Sequence, residues 1–377
     1  MTLAQVLDRY NTQHAANLPS KDSADKAVRR WVEFFGVATL SELTVHRQEE
    51  FVADLRRQGL ADGTIKRTLG VGTAALNRAH ERGELLAVPH IITVEGSQPR
   101  DLVLDVEDLR CFWQAIEEPH LRHYFVLLVG TGARPSAVLD LTKFQVDLPR
   151  RLLDLNPAGR RQTKKRRPII RICYSLVPWL KAMSGSVLVS WKGRKVDRVT
   201  TSWEKARARA VASIRNEGAG LARRLRRIGD HAAARAAAAS ARERGETMAQ
   251  VTAYTIRHTV ATWLDEQNVP ENEIASFLGH RTENRATGWY INRRVYREEY
   301  QANVAAALDR LFAEAGLRND NAPAATEASS DPIVVHPARA ISVRVSKQPA
   351  PESRETLGAG EGIRTLDPNL GKVVLYP

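Results

Sequence analysis

The chain is poor in the residues that hold a fold together covalently or through a metal. Only two of its 377 residues are cysteines, Cys111 and Cys173, which is too few for a disulfide framework or a cysteine-ligated structural metal. No apolar run approaches the roughly 20 residues that a membrane-spanning helix needs. Residues 1–11 lack the basic and then apolar pattern of a secretory signal. These absences predict a cytoplasmic protein that does not enter a membrane.

The net charge of +13 is confined to the middle of the chain. Residues 1–99 carry 12 basic and 12 acidic side chains, and residues 316–377 carry 7 of each. Residues 100–315 carry 37 basic against 24 acidic side chains. A surplus of fixed cations in one region favours a polyanionic partner, because binding releases counterions from a phosphate backbone. A solvated, arginine-rich helical surface explains the charge equally well, so charge alone does not decide.

Residues 1–95 carry the pattern of four helices. Apolar side chains repeat at helical spacing in two of these stretches. They are Val28, Trp31, Val32 and Phe35 in the first, and Ile65, Leu69, Gly72, Leu76 and Ala79 in the second. Turn signals separate the stretches, so we expect one compact helical domain. Its aromatic residues are expected in the core rather than on a binding surface. They are Trp31, Phe34, Phe35 and Phe51.

The rest of the chain predicts a linker at residues 96–105 and a second domain at residues 106–315. This domain is mostly helical, with two short strands expected at residues 152–155 and 168–173, on either side of a basic turn. Residues 316–377 are rich in alanine, proline, serine and threonine and have little periodicity, which predicts a disordered tail.

Residues 207–244, inside the second domain, are rich in alanine and arginine and are interpreted as an insertion. Two interpretations stay open for it. It is either a long charged helix pair that lies along DNA, or a segment whose arginines are only solvated.

Three short motifs, far apart in the sequence, share one chemical theme. An apolar helix ends in the glycine turn 130–132, which presents Arg134. The stretch 254–259, Tyr-Thr-Ile-Arg-His-Thr, opens another helix and contains Arg257. The stretch 277–280, Phe-Leu-Gly-His, is followed ten residues later by Tyr290. Each motif places a phosphate-binding side chain beside a helix end or a turn, where backbone N–H groups can also face an anion.

This order of motifs resembles the tyrosine recombinase (phage integrase) family. Residues 59–65 and 82–85 are also similar to a loop and a helix end of that family's core-binding domain, so the resemblance covers about residues 1–315. It implies a mainly α fold: a helical, SAM-like core-binding domain, and a mixed α/β catalytic domain that is mostly helical with a small antiparallel sheet. The two domains would clamp double-stranded DNA.

The resemblance also implies the reaction. Family members cut and rejoin duplex DNA at specific sites through a 3′-phosphotyrosine, which needs neither metal nor ATP, so no cofactor is expected. The expected assembly is a homotetramer on DNA attachment sites, with a DNA-bending or excision factor as a further partner. The predicted role is integration of a prophage or another mobile element.

Arg134 and Arg257 are the arginine pair that the resemblance implies. Two guanidinium groups can grip the non-bridging phosphate oxygens through bidentate hydrogen bonds and neutralise their charge. His280 is expected to donate a hydrogen bond to the same phosphate.

The basic turn at residues 162–168 is where family members carry a lysine close to the leaving oxygen. Lys164 is the predicted residue, and Lys165 is the alternative. Without the family, the turn reads only as a basic loop that touches the DNA backbone. Further DNA-contact candidates are Lys165, Arg166 and Arg167 in this turn, and Lys66 and Arg67 in the first domain.

Tyr290 is the predicted nucleophile, since it stands at about the family's spacing from His280. Tyr296 and Tyr300 are the other candidates and are interpreted as packing residues. The last helix, expected at residues 303–312, carries an apolar stripe that could dock on a neighbouring protomer or on its own domain.

Two positions depart from the family pattern. Tyr254 stands where the family usually has histidine. A phenol with a pKa of about 10 can donate to a phosphate oxygen but is a poor general base at neutral pH. Tyr254 is therefore predicted to position the phosphate, with packing in the core as the alternative. Ala137 replaces the family's acidic residue.

The last residues of the chain carry a different signal. Residues 363–365, Ile-Arg-Thr, can be encoded by ATT-CGA-ACC, the reverse complement of the GGTTCGAAT of a tRNA T-arm. Residues 374–376, Val-Leu-Tyr, can be encoded by GTG-CTC-TAC, the reverse complement of GTAGAGCAC in a D-arm. The stretches are eleven codons apart, the separation expected in a tRNA. The hypothesis is that the gene runs antisense into a tRNA gene, with the anticodon opposite Gly371.

Two other functions compete with integration. A type IB topoisomerase-like enzyme uses the same chemistry to relax one duplex, whereas a recombinase exchanges strands between two. A non-catalytic DNA-binding regulator on the same scaffold is the second alternative, and the changes at Tyr254 and Ala137 leave it open.

Overall fold

The computed structural model describes residues 1–18, 20–96, 102–163, 165–183, 185–280 and 295–319. It is mainly helical, and it contains two separate hydrophobic cores, one in residues 3–94 and one in residues 102–317. The predicted fold class is confirmed. In the part of the chain described, no helix is long and apolar enough to span a membrane.

The first core is enclosed by four α-helices, as the periodicity predicts. They are α1 (Leu3–Gln13), α2 (Lys21–Phe35), α3 (Val45–Arg57) and α4 (Asp62–Glu81). Threonine side chains cap two of them, because the hydroxyl of Thr2 accepts from the N–H of Gln5 and that of Thr44 accepts from the N–H of Arg47.

Trp31 is the centre of this core. It is fully buried, and its indole N–H donates to the backbone oxygen of Thr68 at 2.8 Å. Its ring lies 4.6 Å from that of Phe51 and 5.2 Å from that of Phe35, both buried. Phe34 is partly buried against the same cluster. The four aromatic residues therefore pack as predicted.

The second core is built by nine helices and five short strands among the described residues. They are α5 (Val106–Gln114), α6 (Pro119–Thr131), α7 (Pro135–Leu139), β1 (Val146–Asp147), β2 (Leu152–Asp154), β3 (Ile169–Arg171), α8 (Val177–Ala182), β4 (Ser190–Trp191), β5 (Arg194–Lys195), α9 (Thr200–Arg227), α10 (His231–Met248), α11 (Ala253–Glu266), α12 (Glu271–Leu278) and α13 (Ala302–Glu314). Helix α6 lies at the centre, since all its residues from 124 to 131 are buried.

The small sheet is antiparallel, in the order β1-β2-β3, with Leu153 paired to Ile170. Strands β2 and β3 are the two predicted strands. Strand β1 is only two residues long, so alternation could not reveal it. The loop 155–168 joins β2 to β3 at one end of the sheet, and the β1–β2 turn lies at the other end.

Helix α13 packs on its own domain in this single chain, which is one of the two predicted alternatives. Its apolar face is buried in the second core. The indole of Trp263 donates to the backbone oxygen of Ala307 at 2.9 Å, and the carboxylate of Asp309 accepts from the N–H groups of Tyr174 and Ser175.

Candidate active site

The turn after α6 positions Arg134. Helix α6 ends at Gly132, whose φ of +53° is the left-handed conformation that favours glycine. A Cβ at Gly132 would lie 2.8 Å from the ring of Phe277, so the turn is pressed against α12. Arg134 follows as the N-cap residue of α7 and is partly exposed.

Arg257 is buried, with 9% of its surface exposed, and backbone carbonyls hold its guanidinium. It donates to the oxygen of Gly132 at 2.6 Å and to the oxygen of Leu278 at 2.8 Å. These carbonyls belong to the ends of α6 and α12, where helical backbone oxygens have no partner within the helix. One side chain therefore ties three helices together at their ends.

His280 lies beside this arginine. Helix α12 ends at Gly279 with φ +70°, and the guanidinium of Arg257 approaches the Nε2 of His280 at 3.2 Å. A guanidinium can only donate, so Nε2 accepts and the ring proton is on Nδ1. Burial lowers the pKa of His280, and the charges of Arg257 and Arg134 lower it further. The ring is therefore neutral at neutral pH.

The loop 155–168 is fixed to the site through Arg166. The guanidinium of Arg134 donates to the backbone oxygen of Arg166 at 2.9 Å. A Cβ at Gly279 would lie 2.8 Å from the same oxygen and 2.8 Å from the Cδ of Pro168. The close approach of α12 to this loop therefore requires glycine at position 279.

The site is electropositive without a compensating carboxylate. Burial lowers the pKa of Arg257 to about 10, and the nearby charge of Arg134 contributes to the shift. Arg257 still remains protonated at neutral pH. In the described part of the chain, no carboxylate lies within ion-pair distance of Arg134 or Arg257. Ala137, at the position of the family's acidic residue, is buried in the core. Two unneutralised guanidinium groups beside a neutral imidazole form an anion site that suits a phosphate.

Tyr254 lies at the edge of this site. It is in the first turn of α11 and is 51% exposed, so it does not pack in the core. It lies close to Arg257 and to the buried Tyr124: burial raises the pKa of Tyr124, with a smaller contribution from Tyr254, and Tyr254 weakly opposes the lowering of the pKa of Arg257 by burial. Its hydroxyl is available to an external ligand.

The basic turn divides into exposed and internally bonded residues. Lys165 and Arg166 are exposed. Arg167 differs from the prediction of a DNA contact, because its side chain is only 12% exposed and its guanidinium pairs with Asp140 at 2.9 Å. Asp140 also pairs with Lys195 of β5 at 3.0 Å. Sequence reasoning missed this acidic anchor, since no local pattern links the three residues.

Lys164 and Tyr290 lie outside the described residues. Of the two alternative tyrosines, Tyr300 packs as predicted, and its hydroxyl donates to the backbone oxygen of Ile169 at 2.8 Å. Burial raises its pKa. The packing prediction is wrong for Tyr296, which is 54% exposed and lies under the guanidinium of Arg150 at 5.8 Å.

The remaining DNA-contact candidates lie in the first domain. Lys66 and Arg67 are both exposed on α4. Their neighbours in the helix, Ile65 and Thr68, are buried. The two basic side chains thus face solvent on a helix whose other side is in the core.

A comparison with family models matches residues 103–296 to the Phage integrase family. The match spans more than half of the chain and contains the whole site described above. The chain belongs to this family and is a tyrosine-type site-specific DNA recombinase. Comparison with curated protein sequences gave no match.

Solved integrases share the fold. A lambda integrase (75–356) dimer bound to a COC′ core site matches with a TM-score of 0.50 and 13% identity, over 75% of this chain and 96% of that one. A lambda integrase tetramer bound to a Holliday junction matches with a TM-score of 0.52 and 14% identity, over 77% of each chain. The Tn1549 transposon integrase (82–397) in complex with circular intermediate DNA matches with a TM-score of 0.53 and 15% identity, over 81% of this chain and 98% of that one.

The glycine that ends α12 gives a direct test of the site geometry. Gly279→Ala should lower the rate of DNA cleavage about 100-fold, because the new Cβ displaces the carbonyl that holds Arg134 and so misplaces the reacting groups. The matched control is Gly316→Ala. Gly316 has φ +69°, but a Cβ there meets nothing within 4 Å.

Both substitutions carry the same backbone strain, about 1–2 kcal/mol. The close contacts at position 279 should destabilise that variant further, so cleavage is compared at a temperature at which both variants are folded, and only Gly279→Ala should then lose cleavage at saturating DNA. Equal cleavage rates in the two variants would contradict the positioning role of this contact.

Proposed function

We propose that this recombinase cuts duplex DNA at specific sites by attack of Tyr290 on a phosphodiester, and then rejoins it to a new partner strand. The observation that carries the proposal is the anion site formed by Arg134, Arg257 and His280. Its charge is not neutralised within the described protein, so a bound phosphate would supply the missing counter-charge.

Arg134 and Arg257 would bind the two non-bridging oxygens of the scissile phosphate. Negative charge on these oxygens grows as the nucleophile attacks, so fixed guanidinium groups stabilise the transition state more than the ground state. Removing one such donor typically costs about 10²–10³ in rate. The neutral ring of His280 would donate from Nδ1 to the same phosphate.

The bond changes balance without a cofactor. The phenolic oxygen of Tyr290 forms a bond to phosphorus and loses its proton to solvent water, and the bond from phosphorus to the 5′ oxygen breaks. Lys164 would give a proton to that oxygen, which leaves as a hydroxyl. Attack of a 5′ hydroxyl on the 3′-phosphotyrosine reverses these changes and releases the tyrosine. Tyr254 would donate to the phosphate without moving a proton.

Tyr290 is preferred as the nucleophile because contacts seen in the structure hold the other two candidate tyrosines elsewhere. Tyr296 lies beside Arg150 of the β1–β2 turn, at the opposite end of the sheet from the loop that holds Arg134. The hydroxyl of Tyr300 is already bonded to a strand carbonyl.

The assembly would be a homotetramer that holds two duplexes. Exposed cations on both domains would bind the DNA backbone, Lys66 and Arg67 from the first, Lys165 and Arg166 from the second. Phosphate contacts of this kind make affinity depend strongly on salt. The neighbours named as a dimer on a core site and a tetramer on a Holliday junction support the same arrangement for this chain.

The biological role would be integration of a mobile element at a tRNA gene. The codons that can encode residues 363–365 and 374–376 match the antisense strands of a T-arm and a D-arm at tRNA spacing. Gly371 then falls opposite the anticodon, which indicates a glycine tRNA. Sequencing the gene tests the overlap. We expect ATT-CGA-ACC at residues 363–365, and other codons there would exclude the tRNA target.

The nucleophile is tested with a suicide duplex, nicked beside the scissile phosphate and built from the flanking tRNA-gene sequence. Wild-type protein should form a covalent adduct that survives a denaturing gel, and Tyr290→Phe should form none, because it lacks the attacking oxygen. The matched controls Tyr296→Phe and Tyr300→Phe should retain the adduct.

If a control variant loses the adduct and Tyr290→Phe keeps it, the tyrosine replaced in that control is the nucleophile instead of Tyr290. DNA binding without any adduct, on several candidate sites, would contradict the catalytic proposal. Relaxation of a single supercoiled circle without strand exchange would contradict recombination as the role.

A further inference from the structure

The α9–α10 hairpin extends well beyond the domain that carries it. Helices α9 and α10 span residues 200–248, more than the insertion predicted at 207–244. The last residue of α9 that belongs to the second hydrophobic core is Ile214, which is buried. Arg227 ends the helix 13 residues later, a distance of about 20 Å along the helix axis.

Buried and bonded residues anchor the base of the hairpin. Trp203 packs on Phe112, and its indole donates to the backbone oxygen of Val251 at 3.0 Å. Arg209 pairs with two glutamates between α5 and α6, the nearer being Glu118 at 2.8 Å. The charge of Arg209 at the base is therefore paired within the protein.

On the second helix of the hairpin, Arg244 pairs with Asp108 at 2.6 Å. The two helices then continue in close contact. A Cβ at Gly218 would lie 2.1 Å from the Cβ of Ala241, so only glycine fits there. This close packing of α9 against α10 holds residues 218–241, the distal half of the hairpin, together as one unit.

The distal half differs from the base in its charge. Residues 218–241 contain five arginines and a single acidic residue, Asp230. The carboxylate of Asp230 already accepts from the N–H of Ala233 as the N-cap of α10. All five arginines are exposed, and none has an ion-pair partner among the described residues. They are Arg223, Arg224, Arg226, Arg227 and Arg235.

Helix stability explains only part of this cluster. Cations in the last turn of α9 interact favourably with the helix dipole, typically by about 0.3–1 kcal/mol. Arg235 lies in the second turn of α10, near the positive end of that dipole, where a cation gains nothing. An external anion accounts for the arginines on both helices.

We propose that the α9–α10 hairpin is a second DNA-binding element, whose distal arginines contact the phosphate backbone outside the stretch that is cut. The distance of about 20 Å corresponds to about 6 base pairs of B-DNA. The distal half contains no Phe, Trp or Tyr, the anchors common at protein interfaces. Arginines among alanines suit the phosphate backbone. The inference rests on the proposed function in one respect: the proposed function identifies DNA as the partner of the hairpin.

The test measures binding of the full chain in the Tyr290→Phe background, so that no chemistry is needed. Random-sequence duplexes of graded length are titrated at several salt concentrations. Replacing Arg223, Arg224, Arg226 and Arg227 by glutamine should weaken binding to the longer duplexes at least tenfold. The slope of log affinity against log salt should become shallower by up to about 3.6, since each phosphate contact contributes about 0.9.

The matched control replaces the same four arginines by lysine, which should keep the slope. Hydrogen exchange of α9 and α10 checks that the hairpin stays folded. If the glutamine variant unfolds it, Arg235→Gln decides, with an expected slope change of about 0.9.

An unchanged slope at every duplex length, with the hairpin folded, would overturn the proposal. So would weaker self-association with unchanged DNA binding, which would make the hairpin a protein interface. The adduct assay on wild-type protein separates the two proposals. A missing adduct contradicts the proposed chemistry, whereas the salt slope reports on the hairpin regardless.

Discussion

The buried guanidinium of Arg257 is the interaction on which the rest of the site depends. Its hydrogen bonds to the carbonyls of Gly132 and Leu278 join the ends of α6 and α12, and its own helix, α11, brings the charge between them. Burying a cation without a carboxylate is costly, and the lowered pKa of Arg257 records that cost. A phosphate bound beside Arg257, as proposed above, would offset this cost, so the charge that destabilises the free protein would favour the bound substrate.

Contacts next to this centre hold the loop 155–168 and the segment 297–300 in place. The loop 155–168 is attached to Arg134 through one carbonyl and to α7 and β5 through the Asp140 ion pairs. On the other side of the predicted nucleophile, Arg171 of β3 binds the backbone oxygens of Arg297 and Tyr300.

Local sequence patterns predicted much of the fold and of the candidate site. The features that they did not predict depend on contacts between residues far apart in the chain. Helix periodicity and turn glycines are properties of adjacent residues, so the four N-terminal helices and the presentation of Arg134, Arg257 and His280 could be predicted. The burial of Arg167 depends on Asp140, 27 residues away, and no periodicity reports such a pair. The full extent of α9 and α10 was also missed, because alanine and arginine give weak apolar periodicity.

The measurement that tests this account most directly compares a phosphodiester with a methylphosphonate at the cleaved position. A methylphosphonate carries no negative charge, so a group whose role is to neutralise that charge becomes dispensable. The account predicts that Arg134→Ala is nearly inactive on the phosphodiester and regains adduct formation on the methylphosphonate. Adduct formation by the wild-type protein should increase much less between the two substrates. An equal loss by Arg134→Ala on both substrates would contradict the claim that the arginine pair acts by charge neutralisation.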